Sequence, residues 1–106
     1  MTQWIAVATE GDLFEGAAIA VTPIDDEIAI YKTEAGEVFA TDNICTHDGH
    51  GRLCDGFLEG HEIECPLHQG RFDIRNGEAT LAPCSEAIRS YPVKIEGGRV
   101  WLNLGD

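Results

Sequence analysis

Cys45 and His47, then Cys65 and His68, make a C-x-H…C-x-x-H pattern with seventeen residues between His47 and Cys65. Two thiolates and two imidazoles suit a two-iron, two-sulfide centre in which the cysteines hold one iron and the histidines the other. Exchanging cysteine for histidine raises the reduction potential above that of an all-cysteine cluster. A chain built around such a site moves single electrons. Zinc is the competing occupant, because a Cys2His2 set also closes a tetrahedral site. Spacing argues against zinc: common zinc fingers pair cysteine with cysteine and histidine with histidine, whereas each segment here contributes one of each. A binuclear cluster seated between two loops accepts that division. Gly49, Gly51 and Gly70 follow the ligand pairs and Pro66 sits inside the second. Small residues there let backbone N–H groups approach bridging sulfides, although ordinary turn chemistry would select the same residues.

The elements that must position these residues read as β. Apolar and polar residues alternate over short stretches punctuated by turn formers, which predicts an all-β chain with strands over 4–9, 17–22, 27–33, 37–41, 62–65, 91–96 and 99–104. Glu34-Ala35-Gly36-Glu37, Glu59-Gly60 and Gly97-Gly98 mark hairpin turns. Helical turns are expected only at 12–16 and 85–88. Residues 42–82, which carry the quartet, are richer in glycine and loop formers than their flanks. This predicts a single domain, 1–106, in which 1–41 and 83–106 form an antiparallel sandwich or barrel base and 42–82 an inserted cluster-binding lobe. Trp4, Ile30, Phe39 and Trp101 are expected in the core of the base.

At 106 residues the chain has material for one core but not for a second catalytic module. The longest apolar stretch, residues 17–21, falls far short of the roughly 20 residues a membrane-spanning helix needs. Residues 1–10 also lack the basic start and apolar centre of an export signal, so a cytoplasmic location is expected. Nineteen acidic against seven basic residues give a formal charge of −12, which repels nucleic acid and anionic membranes and favours partners with basic docking surfaces. In a reducing compartment the four cysteines are not expected to form disulfides. Cys54 and Cys84 lack histidines at ligand spacing and read as small buried hydrophobes. A mononuclear catalytic iron needs two histidines and a carboxylate. Only His50, inside the first ligand segment, and His61, at an exposed hairpin tip, remain for it, so the chain is not expected to be an oxygenase itself.

With these residues in view, the chain resembles the Rieske proteins, and among them the small soluble ferredoxins of bacterial aromatic-ring-hydroxylating dioxygenase systems. The resemblance covers nearly the whole chain. It is carried by Ala40-Thr41-Asp42-Asn43-Ile44-Cys45-Thr46-His47, by Asp55-Gly56-Phe57-Leu58-Glu59-Gly60, by Ile63-Glu64-Cys65-Pro66-Leu67-His68-Gln69-Gly70-Arg71-Phe72-Asp73, and by Tyr91-Pro92-Val93-Lys94-Ile95-Glu96. It implies the Rieske fold, one [2Fe-2S] cluster, Cys45 and Cys65 on the buried iron, and His47 and His68 on the outer iron. Pro83 matches a proline loop that covers the cluster. The implied function is electron carriage by a monomer from an NAD(P)H-dependent ferredoxin reductase to a terminal oxygenase. The alternative is an electron-transfer subunit of another reductase, such as a nitrite reductase. High-potential Rieske proteins of respiratory complexes carry a disulfide at the positions of His50 and Leu67. They also carry serine and tyrosine hydroxyl donors at the positions of Gly70 and Phe72. Both features are missing here, which places the expected potential near the low end of the Rieske range, roughly −150 mV.

Overall fold

In the computed structural model, which describes residues 4–23, 26–45, 51–67, 69–82, 84 and 86–104, the alternating segments form antiparallel strands in three sheets. The first sheet joins β1 (Trp4–Thr9), β11 (Arg99–Asn103) and β10 (Val93–Glu96), in that order. The second runs β2 (Ala17–Val21), β3 (Ile28–Lys32), β4 (Val38–Asp42) and β9 (Ser90–Tyr91). The third is a meander of β5 (Phe57–Glu59), β6 (Glu62–Glu64), β7 (Arg71–Asp73) and β8 (Ala79–Leu81). Gly97 and Gly98 turn β10 into β11 with φ of 63° and 76°, the pair of positive values that a two-residue turn matched to strand twist requires.

Strand β3 explains how the sheets stack. Successive side chains on a strand point to opposite faces. Ile28 and Ile30 join Leu13, Ala40, Val100 and Leu102 in a core shared by the first and second sheets. Ala29 and Tyr31 face the other way and join Cys45, Leu53, Ile63, Cys65, Phe72, Ile74, Cys84 and Ile88. Both faces of β3 are therefore covered, which is why its sequence is a continuous apolar run instead of an alternation. Burying Ile30 completely contributes about 1.5–3 kcal/mol. The Tyr31 hydroxyl reaches the Thr41 hydroxyl at 2.8 Å, and Thr41 donates onward to the Asp42 carbonyl at 2.9 Å. Burial drives the Tyr31 phenol pKa well above its ordinary value.

The structure corrects several expectations. Residues 91–96 form two strands because Pro92, with no N–H to give a ladder, separates β9 from β10. Short strands β7 and β8 form where none was predicted. The first helical turn lies at Glu10–Asp12 and not 12–16, fixed by the Asp12 carboxylate accepting the N–H and the hydroxyl of Thr9 at 3.0 Å each. A second turn, Leu53–Asp55, was not anticipated, and residues 86–88 carry no helix. Ile30 is core as expected, but Trp4, Phe39 and Trp101 are only half-buried. Trp101 donates its indole N–H to the Glu96 carbonyl, and Lys94 stacks over Trp4. His61 is held and not merely exposed: its Nε2 lies 2.8 Å from Glu37 Oε1 and its ring meets Phe39 edge to face. Among the described residues no helix is long and apolar enough to cross a membrane.

Candidate metal centre

Each cysteine of the quartet sits at the base of a segment closed by the same bond. Cys45 follows β4, and its N–H donates to the Gly51 carbonyl at 2.7 Å, while Ile44 bridges Arg52 across the same base. Cys65 follows β6, and its N–H donates to the Gly70 carbonyl at 2.8 Å just before β7. Gln69 supports the second closure with a bond to the Cys65 carbonyl at 3.0 Å and a left-handed φ of 63°.

The first closure is braced from below by Asn43, whose every polar group is engaged. Its N–H and Nδ2 donate to the Glu27 carbonyl and carboxylate at 3.1 and 3.0 Å. Its carbonyl and Oδ1 accept the N–H groups of Leu53 and Cys54 at 2.7 and 2.8 Å. Arg52 completes the brace with a bidentate pair to Glu27 at 3.1 and 3.2 Å. The Arg52 hydrogen bonds, and then that of Asn43, hold the Glu27 pKa below its ordinary value, so this carboxylate stays charged. The third sheet is braced by Arg71, which gathers Glu59, Glu62 and Glu64 at 3.1–3.3 Å. Asp73 accepts three bonds from Arg75, which lower its pKa.

The two closures bring their thiols into one apolar pocket. Cys45 and Cys65 are completely buried. A Cβ placed on Gly51 would lie 2.7 Å from Cys65 Sγ and 3.4 Å from Cys45 Cβ, so glycine leaves the space in which the two segments meet. A third thiol shares it: Cys84 Sγ is 3.7 Å from Cys45 Sγ, and a Cβ on Gly70 would collide with Cys84 Sγ. Fully buried Phe72 packs in the same core without a hydroxyl to offer. Cys84 is buried as the sequence suggested, whereas Cys54 is half-buried, its sulfur 3.8 Å from the Asp55 carboxylate. His47, His68, His50 and Pro83 lie outside the described residues. Among the described residues no group of three or more His, Cys, Asp or Glu is disposed to hold a metal ion, so the structure speaks to the cysteine half of the site. The two buried thiols of Cys45 and Cys65 are a donor pair suited to one iron of an iron–sulfide cluster.

A Rieske [2Fe-2S] domain matches residues 3–92, and the chain belongs to that family. It is 54% identical over 105 residues to the ferredoxin component of the naphthalene 1,2-dioxygenase/salicylate 5-hydroxylase systems of a Ralstonia species, covering 98% of this chain and 99% of that one. The Sphingomonas yanoikuyae B1 ferredoxin superposes with a TM-score of 0.88 at 38% identity, over 97% of this chain and 100% of the other. A ferredoxin-like match of TM-score 0.85 and 29% identity, over 94% of this chain and 92% of that one, comes from a complex of reduced oxygenase and oxidized ferredoxin in carbazole 1,9a-dioxygenase. A putative nitrite reductase small subunit from Mycobacterium tuberculosis also superposes, with a TM-score of 0.89 over 100% of this chain and 98% of that one. At 18% identity it shares the fold alone.

Proposed function

We propose that this chain is a one-electron carrier that takes electrons from an NAD(P)H-dependent ferredoxin reductase and delivers them to the terminal oxygenase of an aromatic-ring-hydroxylating dioxygenase system. The observation that carries this reading is 54% identity, over almost the full length of both chains, to a protein named as the ferredoxin component of such a system. In this reading Cys45 and Cys65 hold one iron, His47 and His68 hold the other, residues 42–82 form the cluster-binding lobe, and 1–41 with 83–106 form its base. When bound, a two-iron cluster supplies reversible one-electron uptake. The chain's own residues do the rest. The Cys–Gly closures hold two thiols in a pocket shut off from solvent, and the Asn43–Glu27–Arg52 brace keeps the first closure from opening. Gly70 and Phe72, lacking hydroxyls, leave the reduced state with fewer donors, which supports a potential near the low end of the Rieske range, roughly −150 mV. The proposed carrier is a cytoplasmic monomer that touches neither membrane nor nucleic acid.

The test is product formation by candidate oxygenase and reductase pairs with and without this protein. The protein should contain two irons per chain and give, when reduced, the low average g value of a mixed-ligand cluster. Turnover that is indifferent to its addition with every pair sinks the dioxygenase assignment, and a colourless zinc protein sinks the carrier itself.

A further inference from the structure

Cys84 has no place in the ligand pattern, yet the fold delivers its sulfur to the ligand pocket. Cys84 is 6% exposed and belongs to the same core as Cys45 and Cys65. Its Sγ lies 3.7 Å from Cys45 Sγ, within hydrogen-bond range for sulfur. Gly70 is what admits it: a Cβ at position 70 would collide with Cys84 Sγ, lie 2.9 Å from its N and 3.1 Å from its Cβ. Side chains at 70 and 84 therefore compete for one volume, and here Cys84 occupies it.

Resting on the cluster assignment above, we propose that Cys84 donates an S–H···S hydrogen bond to the Cys45 thiolate and so tunes the reduction potential of the centre. As two thiols, either sulfur could donate. A metal-ligating cysteine is a thiolate with no proton to give, so Cys84 becomes the donor and Cys45 the acceptor. A donor to a ligand sulfur draws off negative charge and stabilises the state with one more electron. The thiol is a weak donor, but a charged acceptor in an apolar pocket strengthens the bond. Cys84 is thus a positioning residue for charge. It occupies the volume beside Gly70, where the resemblance places a serine hydroxyl in high-potential Rieske proteins.

Three variants of the cluster-loaded protein test this: Cys84→Val and Cys84→Ala, which remove the donor, and Cys84→Ser, which keeps one. Iron content, reduced-state EPR and midpoint potential are measured on each. With two irons and an unchanged average g value, the donor-free variants should shift the one-electron equilibrium about tenfold toward the oxidised state, a midpoint about 59 mV lower. Cys84→Ser should stay within about threefold of the parent. A loaded donor-free variant with the parent's potential overturns the proposal. So does a changed average g value, which would make Cys84 a ligand, and so does failure of both donor-free variants to load, which would give it a role in assembly. A parent protein without two irons or the mixed-ligand signal would instead overturn the cluster assignment.

Discussion

Gly51 shows how much of the centre depends on an atom that is not there. The Cys65 thiol packs where a Cβ would lie at 2.7 Å, a separation that real Cβ contacts do not show. Gly51→Ala should therefore push the two closures apart, costing about 1–3 kcal/mol of stability and lowering iron content at purification. Urea denaturation and iron analysis check both, and a fully loaded, equally stable variant would show that the pocket yields easily. Spacing marks Cys45, His47, Cys65 and His68 as the proposed ligands, and Gly51 is legible as a small residue near the first pair. The sequence marks Cys84 as buried but not as a pocket residue, since a residue nineteen positions beyond Cys65 enters the pocket through tertiary packing that no local pattern encodes.

Among the elements, the brace beneath the first closure and the turn after β7 each carry a prediction. Asn43 is completely buried and uses both ends of its amide, so Asn43→Ala removes two side-chain bonds and leaves the Cys54 N–H without its acceptor. The expected cost is about 2–4 kcal/mol, read from the urea midpoint of the cluster-loaded protein. Asp73 behaves differently because its contribution depends on charge. Its pKa is lowered in the fold, so its stabilisation is complete above the ordinary carboxylate value and is lost as pH falls through the lower folded value. Asp73→Asn should cost about 1–2 kcal/mol above pH 5, and the gap to the parent should begin to narrow only below about pH 4, as pH falls toward the lowered folded value. A gap independent of pH would show that amide and carboxylate differ there by shape alone. The longer strands were legible from alternation or apolar runs, as β1 and β3 show. The third sheet was less so, because β7 carries Arg71 and Asp73 on either side of Phe72 and three residues are too few to display a period. The Leu53–Asp55 turn follows from Asn43, whose bonds to Leu53 and Cys54 span ten and eleven residues that turn propensities do not record.

At the scale of the whole molecule, the charge of −12 predicts steered docking of the proposed carrier. Reduction by a ferredoxin reductase with a basic docking face should slow steeply as ionic strength rises from about 0.01 to 0.5 M, because the screening length shrinks from about 30 Å to a few ångströms. A flat response would assign the charge to solubility alone. The double burial of β3 has a consequence for how the protein breathes. A strand that serves as the wall of two cores has no partial opening that frees it, since undoing either core leaves its other face packed. The amides of Ala29, Ile30 and Tyr31 should therefore exchange with deuterium only through complete unfolding, at the slowest rate in the chain. Native-state hydrogen exchange reads this directly, and faster exchange at these three amides than in β11 would mean that one core opens without the other.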